Sequence, residues 1–471
     1  MKIISNIGKF AIIGALVLGI ASCSDDDDGD FVELETNLVV TATADSELTS
    51  LVAALAKAEL VTTLNGSGPF TVLAPTDAAF SAFLEANNYE NVNDIPVETL
   101  KQVLLNHVIP GEIEAADLKA EVSGYATTAS TAGPNGANIS IYYEASSDVT
   151  FNGGKDNGGA TVTTADISAS NGIIHKVDAV IGLPDIVSMA KANANFSTLV
   201  SAVVAADLVT TLQSDGPFTV FAPNNASFST FLSDNEFSTL EDVPTETLTQ
   251  TLLNHALTSA TTSSDLSAEG SGYVQTASTA GPDGENISMF YDASSGVIIN
   301  GGASNKGAQV ETADIVVTNG IIHQVDAVIN LPNVTTFAAA DTRFSTLVTA
   351  LTEANLVGAL QAENGTGTPE APFTIFAPTN TAFDELAEIP TGDALTDVLL
   401  LHVIEMSNVT SADLTTSTVV SLGGNLDIDA TAITVKGEGN AEASAIILAD
   451  VQATNGVIHA IDQVLLPNPN L

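Results

Sequence analysis

The chain has 471 residues, of which 57 are acidic and 11 are basic, and its formal net charge at pH 7 is −46. This imbalance argues against a nucleic acid partner, because phosphate binding needs clustered Lys and Arg side chains. A single cysteine, Cys23, excludes disulfides within the monomer.

The N-terminus has the layout of a bacterial lipoprotein signal. Lys2 and Lys9 precede an apolar run at residues 10–20, and small residues lead into Cys23. This run is too short to cross a bilayer, which needs about 20 apolar residues. We therefore predict a signal peptide at residues 1–22, lipid attachment at Cys23, and an acidic tether through residue 36. We expect the membrane to be contacted only through this lipid anchor.

Four aspartates at residues 25–28 follow the cysteine. They resemble an acidic export signal that directs lipoproteins to the outer face of the outer membrane. A solvated charge run in a disordered tether is the alternative. We expect an outer membrane lipoprotein that is exposed on the cell surface.

The remainder of the chain is a threefold repeat. The pattern Asn-Gly-x-Ile-His occurs at residues 171–175, 319–323 and 455–459. At an offset of 148 residues, 42 of 62 positions are identical between residues 123–184 and 271–332. A unit of this length is the size of one folding domain. We predict three domains, at residues 37–184, 185–332 and 333–471.

The first copy shows mixed helical and strand patterns. In chain order they predict a helix capped by Asp45 or Ser46, a strand at residues 69–75, a helix opened by Thr76 and a helix at residues 97–108. Strands are then expected at residues 139–143, 149–152, 160–164 and 172–183.

The Gly-rich segment at residues 124–159 has no counterpart in the third copy, which indicates an excursion from the fold. Within it, residues 153–159, like residues 301–307 in the second copy, lack the endings of a phosphate loop and the Asp spacing of a calcium loop. We expect hairpin turns at both places.

Three ordered motifs in each copy resemble those of the fasciclin domain family. In the first copy they read GPFTVLAPTDAAF, LLNHVIPG and NGIIHKVDAVIGLP. The resemblance covers residues 35–467 and implies an α+β chain of three tandem fasciclin-like domains, each a wedge of two β-sheets with packed α-helices. It also implies adhesion to matrix, proteins or glycans, and it offers no catalytic site.

An Asp-Ile pair that precedes the Asn-Gly motif is a proposed adhesion site in animal members of this family. The resemblance therefore marks Asp-Ile or Asp-Val pairs as candidate binding residues. Their residue types also fit a purely structural role, with a core Ile and an Asp that accepts local hydrogen bonds. The candidates are Asp166, Ile167, Asp314, Ile315, Asp450 and Val451.

All histidines of the chain fall at two positions of the repeat, and we predict that they are structural. The alternative is a metal or catalytic role, but each copy offers two His and no Cys, while a zinc site needs three or four ligands. No serine lies in a Gly-x-Ser-x-Gly elbow. The residues are His107, His175, His255, His323, His402 and His459.

These patterns favour a surface-anchored, adhesin-like lipoprotein without cofactor, metal or enzymatic activity. We expect its partner to be an extracellular polysaccharide, a matrix polymer or a cell-surface protein. A glycan-binding accessory protein for polysaccharide capture is one alternative. A polymer-degrading enzyme is another.

Overall fold

The computed structural model describes residues 36–468, so Cys23 and the aspartates at residues 25–28 lie outside the described residues. It divides into two compact units. Unit 1 runs through Asn193 and includes Val316–Thr318, and unit 2 contains Ala194–Ile315 and the chain from Asn319 onward. Among the described helices, none has the length and apolar character that crossing a membrane requires.

The first domain, in unit 1, combines helices with a seven-stranded sheet. In chain order its elements are α1 (Leu38–Ala44), α2 (Thr49–Lys57), α3 (Val61–Leu64), β1 (Phe70–Pro75), α4 (Asp77–Ala86), α5 (Val97–Asn106), β2 (Val108–Pro110), α6 (Ala115–Glu121), β3 (Ser123–Thr127), β4 (Ser140–Glu144), β5 (Thr150–Phe151), β6 (Ala160–Ala169) and β7 (Gly172–Val177). Helix α7 (Ile186–Ala192) follows. The strand order is β2-β1-β7-β6-β5-β4-β3.

The long strand β6 belongs to both halves of this sheet. One end of β6 pairs with β5, and the remainder pairs with β7 across two register shifts. Strand β1 lies parallel to β7, whereas the other pairs are antiparallel. The two sheets of the predicted wedge therefore share one strand, and the expected α+β fold is confirmed.

Two apolar clusters fill the domain, one for each half of the sheet. The first lies between helices α1, α2, α4 and α5 and the half that contains β1 and β7. The second lies against the half that contains β3, β4 and β5, with Tyr143 and Phe151 fully buried. Burial of large aromatic side chains supplies much of the driving force for such a fold.

The second and third domains each contain a seven-stranded sheet with the same strand arrangement. The second set of elements is α8 (Ser197–Ala205), α9 (Val209–Leu212), β8 (Phe218–Pro223), α10 (Asn225–Asp234), α11 (Thr245–Asn254), β9 (Ala256–Leu257), α12 (Ser263–Glu269), β10 (Ser271–Gln275), β11 (Ser288–Asp292), β12 (Ile298–Ile299), β13 (Ala308–Val317) and β14 (Gly320–Val325). The third set is α13 (Val334–Ala340), α14 (Ser345–Glu353), β15 (Phe373–Pro378), α15 (Asn380–Asp384), α16 (Asp393–Leu401), β16 (Val403–Ile404), β17 (Ser417–Ser421), β18 (Gly424–Asp429), β19 (Thr434–Gly437), β20 (Ser444–Ala453) and β21 (Gly456–Ile461).

The start of the first domain differs from its prediction. Helix α2 begins at Thr49 and receives no cap from Asp45 or Ser46. Its first turn is instead capped from another helix, because Asp77 Oδ1 accepts the Ser50 N–H at 2.7 Å. Helix α1, which the sequence patterns did not predict, precedes it. The predicted strand β1 and the cap of α4 by Thr76 are confirmed.

Three further expectations need correction. Helix α5 ends at Asn106, because His107 caps it and Val108 begins β2. The closing strand β7 ends at Val177 and does not continue to residue 183. The Gly-rich segment is no excursion, since it contains β3, β4 and β5, and the third domain completes its sheet with β17, β18 and β19 of unrelated sequence.

Candidate functional site

The repeated Asn-Gly motif joins three parts of each domain. In the first domain Asn171 Nδ2 donates to the carbonyl oxygens of Leu64 and Gly66, at 2.8 and 2.7 Å, and Asn171 Oδ1 accepts the Leu38 N–H at 2.9 Å. Gly172 has φ +148°, and a Cβ atom there would collide with the Phe70 carbonyl oxygen. The motif thus holds helices α1 and α3 against the end of the sheet.

The histidine of this motif stabilises an irregular segment of β6. Asp166 has φ +61° at a register shift, and its N–H donates to His175 Nδ1 at 3.1 Å. Since Nδ1 accepts this bond, Nε2 carries the proton and donates to the Ile113 carbonyl oxygen at 2.9 Å. The ring is neutral, so the 3.8 Å separation of Nδ1 and Asp166 Oδ1 is no ion pair.

The Asp166 carboxylate is engaged within its own domain. Asp166 Oδ1 accepts the Ala115 N–H at 2.9 Å, and Ala115 is the first residue of α6. A carboxylate at a helix N-terminus is favoured by the unpaired N–H groups and by the helix dipole. The side chain is 45% exposed, but its hydrogen bond serves the fold.

The other two domains repeat this arrangement with an added serine. Asp314 N–H donates to His323 Nδ1 at 3.1 Å, and Asp450 N–H donates to His459 Nδ1 at 3.3 Å. Asp314 Oδ1 accepts the Ser263 N–H at 2.8 Å, and Asp450 Oδ1 accepts the Ser411 N–H at 2.6 Å. The hydroxyl groups of both serines donate to the second carboxylate oxygen. Burial lowers the pKa of both histidines.

The apolar members of the candidate pairs point into the protein. Ile315 is 0% and Val451 is 1% exposed, while Ile167 is half-buried and packs against the core of the first domain. The structure therefore brings each aspartate together with its histidine and leaves the apolar residue little surface for a partner. These contacts favour the structural interpretation of the pairs.

The second set of histidines joins a helix end to the loop after the last strand. His107 Nδ1 donates to the Val103 carbonyl oxygen at 2.7 Å, and Nε2 accepts the Ile181 N–H at 2.9 Å. His255 and His402 make the same pair of bonds in their domains. Burial lowers the pKa of each of these three histidines to about 4. A buried neutral ring with both nitrogens bonded fits the predicted structural role.

Within residues 36–468, no three His, Cys, Asp or Glu side chains are grouped in a way that would hold a metal ion. The two histidine positions of one domain also use all their ring nitrogens in bonds to the backbone. In the first domain these bonds go to Val103, Ile181, Ile113 and Asp166.

The described contacts reveal an interface that the sequence reasoning missed. In unit 2, Tyr273 of β10 packs edge-on against Phe337 of α13, with ring centroids 5.6 Å apart, and its hydroxyl donates to Asp341 at 3.0 Å. Phe290 of β11 belongs to the same apolar cluster as the core of the third domain. The Ser288 hydroxyl oxygen accepts the Gln452 N–H of β20 at 3.0 Å. Domains 2 and 3 are thus packed together by buried aromatic side chains.

An aromatic pair that recurs in the first two copies could have predicted this interface from the sequence. It lies on the face of the sheet that points away from the core of its own domain. Tyr273 pairs with Phe290, and Tyr125 pairs with Tyr142 in the first domain, each with ring centroids 5.1 Å apart. In the third domain the same place in the sheet holds Thr418 and Asp427, joined by a 2.6 Å hydrogen bond. The third domain is therefore polar at this place in its sheet.

Comparison with known proteins agrees with the repeat and the fold. The family model for the fasciclin domain matches residues 46–184, 194–332 and 342–467. An uncharacterized protein of Synechocystis is 41% identical over 148 residues, which is 29% of this chain and 98% of that protein.

Longer similarities occur in animals. Transforming growth factor-beta-induced protein ig-h3 of Oryctolagus cuniculus is 29% identical over 442 residues, which is 89% of this chain and 56% of that protein. Periostin of Homo sapiens is 26% identical over 449 residues, 90% of this chain and 46% of that protein. This chain therefore spans about half the length of these animal relatives.

Among solved structures, a FAS1 domain pair from the insect cell adhesion molecule Fasciclin I is similar, with 19% identity, a TM-score of 0.35, and coverage of 59% of this chain and 92% of that chain. Together, the three family matches, the three equivalent sheets and the motifs they share lead to one conclusion: the chain belongs to the fasciclin domain family.

Proposed function

We propose that this protein is a surface-anchored adhesion lipoprotein whose fasciclin domains bind an extracellular polysaccharide, a matrix polymer or a protein of another cell. Fasciclin domains are linked to cell adhesion. The lipid anchor at Cys23 and the acidic residues 25–28 would place the domains outside the outer membrane.

The observation that carries this proposal is the packed arrangement of repeated domains. Tyr273, Phe290 and Phe337 join the second domain to the third, so these two domains present their surfaces at a set spacing. Weak sites at a set spacing gain affinity when the target is itself repetitive, because the second binding event is intramolecular. We expect the complete chain to bind a polymer at least ~100-fold more tightly than one domain.

Surface plasmon resonance over immobilised matrix polymers and polysaccharides tests this gain in affinity. Versions that contain residues 37–184, 37–332 and 37–471 should bind with rising affinity. Circular dichroism of each version shows whether it is folded before its affinity is compared. Equal affinity for folded versions with one and three domains would contradict multivalent adhesion.

The anchor and the location have a test of their own. Metabolic labelling with a fatty-acid analogue should mark the wild-type protein and not the Cys23→Ala variant. Protease added to intact cells should remove the wild-type protein, and alanine at residues 25–28 should protect it. Labelling of both proteins would exclude Cys23 as the lipid site, and full protection of the wild type would place it inside the outer membrane.

Adhesion itself is measured with cells. Cells that display the wild-type chain should attach to polymer-coated surfaces in larger numbers than cells that carry Cys23→Ala, which releases the protein from the membrane. Equal attachment of the two strains to every coating would contradict the proposal.

A further inference from the structure

Unit 2 contains an open cleft of about 520 Å³ where the second and third domains meet. The loop at residues 303–306, which joins β12 to β13, forms one wall, and helices α13 and α14 form the other. Val348 and Val357 contribute apolar surface, and Asn333, Thr335 and Gln361 contribute amides and a hydroxyl. Clefts of about 300–1,000 Å³ hold small ligands, and a disaccharide is of that size.

Lys306 is the one charged residue that lines the cleft, and no lining residue is acidic. This is unusual in a chain with 57 acidic and 11 basic residues. Lys306 is exposed, and within residues 36–468 its ammonium group makes no hydrogen bond or ion pair. The residues that line the cleft therefore carry one positive charge and no negative charge, in a protein with a net charge of −46.

The backbone conformation of Lys306 is one that glycine adopts readily. Its φ is +59°, in the left-handed region where glycine is favoured, and the first domain has Gly158 at the same position with φ +73°. The Lys306 carbonyl accepts the Asn330 N–H at 3.0 Å, just as Gly158 accepts the Gly182 N–H at 2.8 Å. The turn is the same with either residue, so the fold does not require the lysine.

Two positions that line the cleft change in a direction that favours an anion, whereas Lys155 of the first domain becomes Ala303, which does not line the cleft. At the offset of 148 residues, Asp156 of the first domain corresponds to Ser304, and Asp185, which follows the first domain, corresponds to Asn333. Both replacements keep a polar group and remove a negative charge from the residues that line the cleft. The lining of the cleft thus lacks two carboxylates that the equivalent positions earlier in the chain carry, and their loss favours binding of an anion.

We propose that this cleft binds a carboxylate-bearing sugar of an acidic polysaccharide, with the Lys306 ammonium group paired to the sugar carboxylate. The Asn333 Nδ2 and Gln361 Oε1 atoms make no hydrogen bond within the described residues, so both are available to the sugar hydroxyls. A sugar hydroxyl both donates and accepts hydrogen bonds, so neighbouring hydroxyls can pair with the Asn333 donor and the Gln361 acceptor together. The inference rests on the proposed adhesive function and names the chemistry of one ligand.

The first and second domains allow a matched pair of variants, one in each domain. Lys306→Gly restores the residue that the first domain has at this turn, and glycine suits the positive φ, so the variant is expected to fold. Lys155→Ala removes one positive charge from the equivalent loop of the first domain and installs the residue that the second domain has there, Ala303. Both variants change the net charge equally.

The probes are trigalacturonate and its methyl ester, which share their sugar rings and differ in charge. A short oligosaccharide reports on single sites and avoids multivalent gain. Ligand-observed NMR titration of the full-length protein in EDTA excludes bridging of carboxylates by divalent cations. Lys306→Gly should weaken trigalacturonate binding about tenfold, the size expected for one charge-assisted hydrogen bond. Lys155→Ala should bind like the wild type, and the methyl ester should not distinguish Lys306→Gly from the wild type.

Equal trigalacturonate affinity of the wild type and Lys306→Gly overturns the inference, and so does equal weakening by Lys155→Ala. Dependence on Lys306 for a triglutamate peptide but not for trigalacturonate also overturns it, in favour of an acidic peptide. Absence of trigalacturonate binding by the wild type overturns it as well. Cell attachment to polymer coatings is scored separately, so adhesion without trigalacturonate binding refutes the cleft and retains the proposed function.

Discussion

The hydroxyl group of Tyr273 donates a hydrogen bond to Asp341 Oδ2 at 3.0 Å. The same carboxylate, 2% exposed, accepts from Arg343 at 2.6 Å, and the Arg343 guanidinium lies 5.9 Å from the centre of the Tyr273 ring. Burial and the Asp341 carboxylate raise the Tyr273 pKa, so the hydroxyl keeps its proton and remains a donor. Tyr273 of the second domain is thus connected to the ion pair of Asp341 and Arg343 in the third domain.

Removal of this tyrosine should weaken the join between the domains. Tyr273→Ala deletes the ring that packs on Phe337 and one hydrogen bond of Asp341. We expect the free energy of unfolding of unit 2 to fall by about 3 kcal/mol, at the low end for aromatic-to-alanine changes, because Tyr273 is only partly buried. In differential scanning calorimetry the transition of unit 2 should move to lower temperature and broaden. Thr418→Ala, at the equivalent exposed place in the third domain, should change stability by less than about 0.5 kcal/mol, and a similar effect of both variants would refute the interface.

The buried histidines should be important for stability. His107→Ala removes a packed ring and leaves the Ile181 N–H without its acceptor, so we expect a loss of about 2–4 kcal/mol. The melting temperature of the first domain should fall by many degrees. Lys101→Ala, on the same helix α5 but partly exposed, serves as the control. An unchanged melting temperature for His107→Ala would mean that the histidine is kept for a reason other than stability.

Stability should fall as the pH drops from about 6.5 to about 4. Burial lowers the pKa of His107, His255 and His402 to about 4, whereas an unfolded histidine titrates near 6.5. Above pH 6.5 both states are neutral and the histidines have no effect on the pH dependence. Between pH 6.5 and pH 4 these histidines are protonated in the unfolded chain and neutral in the folded chain. Protonation therefore favours unfolding, by up to about 3 kcal/mol per domain.

Urea unfolding at pH 7.5, 6, 5 and 4.5 measures this pH effect. Carboxylates with lowered pKa, such as Asp45 and Asp265, add a further loss only near and below pH 4, since their folded pKa lies below 3.8. The window above pH 4.5 therefore reports on the histidines. Constant stability from pH 7.5 to pH 5 would contradict the prediction.

The aspartates of the candidate pairs can be tested for folding and binding separately. Asp314→Ala loses the acceptor of the Ser263 N–H and places alanine at φ +58°, so we expect a cost of about 2 kcal/mol. Asp314→Asn keeps an oxygen acceptor and tolerates this backbone conformation. We expect it to cost less than about 1 kcal/mol.

The binding arm combines Asp166→Asn, Asp314→Asn and Asp450→Asn in one chain. If the aspartates are structural, cells that display this variant should attach to polymer coatings as well as wild-type cells do. Loss of attachment with an unchanged melting temperature would show that the carboxylates contact the partner directly.

Local sequence patterns determined the repeat, the fold class and many element starts. The Thr76 cap and the run at residues 70–75 were readable because capping and strand alternation depend on neighbours within a few residues. Burial of His107 followed from its apolar surroundings in the sequence. The Asn-Gly-x-Ile-His pattern revealed the repeat, and three ordered motifs in each copy pointed to the family, although none of them showed which contacts each residue makes.

The tertiary structure decided the features that depend on residues distant in the chain. Asp77 caps a helix that begins 28 residues earlier, and Asn171 reaches a carbonyl 107 residues away. The third domain builds β17, β18 and β19 from sequence unlike that of its sisters, because a sheet needs paired backbones and an alternating apolar face more than particular side chains. The packing of Tyr273 and the cleft at Lys306 likewise arise only where two domains meet, since no short-range pattern encodes which surfaces come together.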